Sequence, residues 1–313
     1  MTTRATDDDL AKVRAAGLSV ESNSLLVVAK LAVGIWTGSV AIVSEAIHSA
    51  NDLLAAVIAL YAVRRAMIPA DEDHRYGHGK FEPVSAGIEG ALILLAAAVI
   101  VVAAVSKLLG GLGVERPGAG AAVMAVSALV NMVVSSHLFK VARRTDSIAL
   151  VADAWHQRTD VYTSVGTGIA MVLIAITDIH VLDPLIAIIV ALVIVRAGWG
   201  LVGKSLAQMV DRSLPEEETA IARLIEEHGR HLVSFHKLRS RRSGASRYFD
   251  VHLVVCRDLH ISEAHELTDH IEQQVRRILP SAEITIHVEP CDQAREECEG
   301  RTDCPHASGE PLE

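Results

Sequence analysis

Cysteine is scarce in this chain of 313 residues: there are four, and Cys291, Cys298 and Cys304 crowd into the last stretch. So sparse and lopsided a set does not imply a disulfide framework. A basic patch is also missing, which leaves a nucleic-acid role without support. The N-terminus, MTTRATDDDLAKVRAAG, lacks the basic start, apolar run and small-residue cleavage site of a signal peptide, so the first apolar segment is expected to be retained. Aromatic residues make up only 4%.

What is abundant is aliphatic sequence. Half of all residues are hydrophobic and the mean hydropathy is +0.33, too apolar for an ordinary soluble protein, yet 21% are charged, too many for a chain buried in lipid throughout. Two parts are therefore expected. Apolar runs dominate to about Met209, and the acidic, His-rich remainder suits water, so the net charge of -9 reflects soluble segments and says little about partners.

Six transmembrane helices are predicted over 19–38, 41–65, 83–109, 119–141, 147–177 and 182–207, each near the roughly 20 residues that span a hydrocarbon core of about 30 Å. Arg64, Arg65, Arg75 and Lys80 follow the second, and Lys140, Arg143 and Arg144 follow the fourth, whereas the loops after the first and fifth have no basic residue. Lys107 and Arg116 run against this trend but are outnumbered, and the positive-inside rule puts both termini in the cytoplasm.

The second and fifth of these segments carry groups that lipid does not tolerate. Glu45, His48 and Asp52 interrupt one; Asp153, His156 and Asp160 repeat the pattern in the other. An ionisable side chain at membrane depth costs a few kcal/mol or more unless it faces the bundle interior with a partner. Residues four apart share a helix face, so His48 stands over Asp52 and His156 over Asp160. If the two faces oppose each other, two imidazoles and two carboxylates converge, a donor set that fits tetrahedral Zn²⁺, with Cd²⁺, Co²⁺ and Fe²⁺ as alternatives. A lone membrane histidine is usually an interhelical hydrogen bond, but two matched pairs favour one shared site. Glu45 and Asp153, a turn earlier, read as rim or gate groups. Metal and H⁺ compete for such ligands, and an exchanger requires that competition.

Asn23, Asn131 and the spacing Gly34-x-x-x-Gly38 read as helix-packing devices. In the loop PADEDHRYGHGKFEP, Asp73, His74 and His78 lie close enough to hold a divalent cation, though three ligands also suit a merely solvated loop. From Asp211 the pattern changes to α-β-β-α-β, with strands near 232–240, 247–255 and ITIHVEP and a helix over 262–279: a small sheet with two helices on one face, as in ferredoxin-like modules. His236, His252 and His287 fall on three predicted strands, with Glu289 on the face of His287. Surface or core histidines and a metal cluster both remain open there. The tail after Pro290 has no hydrophobic periodicity; Cys298 and Cys304 belong to a flexible segment or to a soft-metal trap. The domains are expected at 1–18, a cytoplasmic N-terminal segment; 19–210, the six-helix membrane domain; 211–290, the cytoplasmic metal-binding domain; and 291–313, the tail.

The His48/Asp52 and His156/Asp160 pairs, the loop DHRYGHGKFEP, the DRSLP junction and the FHKLRSRRSG…YFDVHLVV…ITIHVEPC module together resemble the cation diffusion facilitator family, in its bacterial zinc and iron efflux branch, from about Ser19 to Cys291. The resemblance implies a homodimeric Zn²⁺/H⁺ antiporter of the bacterial cytoplasmic membrane, not an enzyme. It assigns His48, Asp52, His156 and Asp160 to the transport site, Asp73, His74 and His78 to a loop site, and His236, His252, His265, His287 and Glu289 to a cytoplasmic regulatory site. His48 stands where well-known bacterial members carry aspartate, which adds nitrogen and leans toward zinc; Glu289 also replaces an aspartate. Two rivals are a zinc-dependent intramembrane hydrolase and a membrane-anchored zinc sensor. Four strong ligands leave no open position for a hydrolytic water, and an anchor has no need of polar stripes.

Overall fold

The computed structural model describes residues 7–38, 40–110, 120–227, 232–257 and 259–291. The tail with Cys298 and Cys304 lies outside them. The chain divides into two compact units, Met1–Met209 and Val210–Glu313.

The first unit holds six long helices: α1 Asp7–Thr37, α2 Val40–Ala66, α3 Phe81–Gly110, α4 Gly120–Thr145, α5 Ile148–Thr177 and α6 Leu182–Met209. Its polarity is inverted relative to a water-soluble bundle. Leu25, Ile35, Leu95, Val102, Leu129 and Ile189 are exposed, whereas Asn23, Asp52, Glu89, Asn131, Asp153 and Gln157 are buried. Apolar surface on that scale needs lipid, and buried polar groups need one another. The unit is a helical membrane domain. Among the described residues five helices are long and apolar enough to cross a bilayer, one fewer than the six predicted. The remaining helix is α5, whose first half carries Asp153, His156, Gln157, Arg158 and Asp160.

Helix α5 links two cores. Ala149, Leu150 and Ala154 pack with Ala15 and Ala16 of α1, Val63 of α2 and Leu138 of α4, while Ile148 and Ala152 pack with Ala86 and Ile93 of α3 and Ile194 of α6. Alanine at so many of these positions lets helix backbones approach closely. Helix α5 begins sharply because Ser147 Oγ accepts from the Leu150 backbone N–H and donates to Glu82 Oε2 at 2.6 Å. The glycine pair read as a packing motif divides its work. A Cβ on Gly34 would meet Val43 Cγ2 at 2.9 Å, so this residue permits the α1–α2 contact, whereas Gly38, at φ 64°, takes a conformation that side chains resist as α1 ends. Helix α1 starts twelve residues before the predicted 19, because Asp7, Asp8 and Asp9 favour its first turn and Lys12 is buried against Glu82.

The second unit is a small α+β domain: α7 Pro215–Glu226, β1 Leu232–Ser243, β2 Ser246–Val255, α8 Ile261–Ile278 and β3 Ala282–Pro290. The strand order is β1-β2-β3, antiparallel then parallel, the α8 crossover returning the chain to run alongside β2. Phe249, Val251 and Leu253 alternate toward Ile221 and Ile225 of α7 and Ile271 and Val275 of α8, so both helices cover one sheet face. The element order matches the prediction, but a ferredoxin-like module has one more strand; here β2 and β3 pair directly and the described sheet stays three-stranded and open.

Candidate metal centres and family membership

Helices α2 and α5 bring the two predicted stripes together. His156 Nε2 lies 3.2 Å from Asp52 Oδ1, and His48 Nε2 lies 3.6 Å from Asp160 Oδ1. Ligand atoms of His48, Asp52 and Asp160 all fall within 4.8 Å of one another. Ligands about 2.1 Å from a tetrahedral ion stand about 3.4 Å apart, close to the His156–Asp52 and His48–Asp160 separations, while His156 itself stands outside the three-residue group and meets it through Asp52. Asp52 is only 5% exposed, while His48 is open on one side.

Sequence reasoning missed the fifth member of this group. Asn131 of α4, read as packing, donates from Nδ2 to Asp160 Oδ2 at 3.3 Å, so it orients the Asp160 carboxylate. The only available signal was an amide in an otherwise aliphatic run. Glu45 and Asp153 stand apart from the cluster in different ways. Lys30 Nζ reaches Glu45 Oε2 at 3.4 Å and donates to Ser49 Oγ at 2.8 Å, whereas Asp153 is buried and accepts from Gln157 Nε2 at 3.3 Å.

In the loop after α2 the acid is not the one expected. Asp71, rather than Asp73, joins His74 and His78. Asp71 Oδ1 accepts from the backbone N–H groups of His74 at 2.7 Å and Asp73 at 3.1 Å, folding an Asx turn that points its carboxylate at both imidazoles. His78 Nε2 is then 3.4 Å from Asp71 Oδ2 and His74 Nδ1 3.6 Å from Asp71 Oδ1. The His74 N–H, aided by the two imidazoles, holds the Asp71 carboxyl below its ordinary range, so it stays ionised and ready for a cation. Asp71→Ala is expected to weaken loop metal binding about 10-fold or more, and Asp73→Ala to leave it intact, in calorimetric titration of the full chain. Equal losses in both variants would return Asp73 to the set.

The small domain builds its cluster from strand register. His236 pairs with His252 across β1–β2, and His252 with His287 across β2–β3, so three imidazoles form one row on the sheet face away from α7 and α8. Glu289, two residues along β3, binds the row together: its Oε1 is 2.7 Å from His252 Nδ1 and its Oε2 3.2 Å from His236 Nε2. His287 Nε2 is 3.7 Å from the same carboxylate. The His252 hydrogen bond holds the Glu289 carboxyl below its usual range. His265 is not brought to this row; it projects from α8, on the helical side of the sheet, and its Nε2 lies 3.7 Å from Asp269 Oδ2 one turn on.

A membrane domain that hides imidazole and carboxylate groups among its helices, in a chain that also carries a water-compatible His-rich α+β domain, suits a transporter of divalent cations. Comparison with known proteins agrees: residues 18–210 match the cation efflux transmembrane domain and residues 214–291 the cytoplasmic domain of cation efflux proteins. The chain belongs to the cation diffusion facilitator family of cation-efflux transporters. It is 34% identical to an uncharacterized transporter of Synechocystis over 83% of this chain and 84% of that one. To the cation-efflux pump FieF of Shewanella oneidensis it is 29% identical over 87% and 92%. A solved zinc-form chain of the transporter CzrB is 38% identical, covering 28% of this chain and 98% of its own, with a TM-score of 0.25.

Proposed function

We propose that the chain is a homodimeric exporter of Zn²⁺ from the bacterial cytoplasm that returns protons, working by alternating access at His48, Asp52, His156 and Asp160. Cd²⁺, Co²⁺ and Fe²⁺ are alternative cargoes. The observation that carries this reading is the approach of His156 to Asp52 and of His48 to Asp160 across α2 and α5. Two nitrogens and two oxygens suit a tetrahedral borderline ion better than the all-oxygen octahedron Mg²⁺ prefers. All six helices cross the inner membrane in this reading, α5 turning its polar half inward, and the Arg and Lys residues after α2 and α4 favour both termini in the cytoplasm.

The segment 19–210 is then the membrane domain and 211–290 the metal-binding domain. Asp71, His74 and His78 form the loop site. His236, His252, His287 and Glu289 form a regulatory site, at which zinc draws two subunits together and so reports cytosolic zinc to the membrane helices. The family resemblance carries the homodimer.

A metal-resolved flux assay in proteoliposomes tests the exchange. An opposing proton gradient is expected to drive Zn²⁺ flux, and the flux to dissipate the gradient. Zinc flux indifferent to the gradient defeats antiport, and absence of flux for every divalent cation defeats transport itself.

A further inference from the structure

Buried acids in the helical unit fall into two kinds. Glu82, at the start of α3, is 1% exposed and fully engaged: Ser147 Oγ donates to its Oε2 at 2.6 Å and Lys12 Nζ lies 3.6 Å from its Oε1. Glu89 sits two turns further along the same helix face and is 0% exposed, yet neither carboxyl oxygen has a hydrogen-bond partner among the described residues. Helix α3 packs on α5, and Asp153 of α5 acts electrostatically on Glu89 across that interface. Asp153 is 1% exposed and its Oδ2 is likewise unpartnered, although Gln157 Nε2 donates to its Oδ1 at 3.3 Å.

Among the described residues no ion pair joins a cation to Glu89 or Asp153, and Arg65 of α2, which packs on α3, lies over the Phe81 ring. Lys12 is held by Glu82 and Asp9, Lys30 by Glu45 and Ser49, and Lys107 by Asp183. Arg158 turns to Ser136 and Phe139, and Arg196 and Lys204 of α6 are exposed. Asp52 and Asp160 face His156 and His48, leaving His156 as the titratable neighbour of Asp153 on its own helix. From α1, Ser19 and Asn23 present neutral groups. Asp153 has at least Gln157 as a donor, but a carboxylate such as Glu89, shut away from water with neither a cation nor a donor, does not stay ionised; it takes up a proton instead.

We propose that Glu89 binds a proton in the membrane interior, at a site whose own carboxyl oxygens belong to none of the metal-ligand clusters. Binding forms one carboxyl O–H bond. Release breaks it when water reaches Glu89, delivering H⁺ to that side and leaving a carboxylate. The part this plays in exchange rests on the antiport reading above; the proton occupancy of Glu89 does not.

Infrared difference spectroscopy of the full chain, in water and in D₂O at neutral pH, tests the occupancy directly. A deuterium-sensitive carboxylic C=O band is expected in the wild type and absent in Glu89→Gln, while zinc stoichiometry by titration is unchanged. Glu89→Asp, which retains an acid, is expected to shift the band, and it keeps the test usable if the glutamine variant does not fold. Persistence of an identical band in these variants, or loss of a bound zinc ion in Glu89→Gln, overturns the proposal. In proteoliposomes Glu89→Gln is expected to carry fewer protons per zinc ion. Wild-type zinc flux that moves no protons, with the Glu89 band present, would fail the antiport reading and support the proton site alone.

Discussion

Asp52→Ala is expected to bring zinc flux down to the level of protein-free liposomes and to weaken zinc binding in the helical unit by about 100-fold or more. Loss of a group that merely orients a metal ligand costs about 10- to 100-fold, and Asp52 is itself placed to ligate. It is 5% exposed, shares a cluster with His48 and Asp160, and holds its Oδ1 3.2 Å from His156 Nε2. Removing it deletes one negative charge from the cation cradle and strands an imidazole inside the bundle. Asp52→Asn separates these effects, since it keeps volume and a hydrogen-bond acceptor but loses charge. Flux is expected to fail in both variants, with the fold retained better in the asparagine form. Wild-type flux in Asp52→Ala, measured with a zinc-sensitive dye inside the liposomes, would remove Asp52 from the transport site.

Much of this architecture is readable from residue order because lipid imposes strict rules. Long aliphatic runs locate the helices, and only a buried function explains His48, Asp52, His156 and Asp160 within them. Strand alternation likewise places Phe249, Val251 and Leu253 on one face and His252 on the other. Turn geometry is less legible. Asp71 and Asp73 are both carboxylates within three residues of His74, and the choice between them rests on two backbone N–H groups that fold back on the Asp71 carboxylate. Spacing alone also cannot say that His265 lies on the helical side of the sheet while its predicted partners form a row on the other. The likeness to a ferredoxin-like module rests on element order alone; direct pairing of β2 with β3 along residues 247–255 and 282–290 leaves no place for a further strand between them. Asn131 was invisible for another reason: an asparagine within an apolar helix has the same appearance whether it packs or orients a ligand on α5.

Asn131→Ala is the sharper test of that last assignment, and it is expected to lower zinc affinity about 10- to 100-fold while leaving the protein folded. The amide is 6% exposed and donates to Asp160 Oδ2 at 3.3 Å, while Asp160 Oδ1 faces His48 Nε2 at 3.6 Å. One carboxylate oxygen is thus fixed by the protein so that the other can point at the cation. Without the donor the carboxylate is free to rotate, and the ordering that Asn131 supplies in advance must come from the metal instead. Asn131→Asp loses the donor, puts a second carboxylate against Asp160 and is expected to hurt more than alanine at neutral pH. Asn131→Gln retains the donor on a longer stem and is expected to recover part of the affinity. A packing role predicts a different order, in which all three variants lower thermal stability and zinc affinity follows the fraction folded. Calorimetric titration of each variant, paired with a melting curve, distinguishes the two: affinity falling at unchanged Tm makes Asn131 a positioning residue, and parallel losses return it to packing.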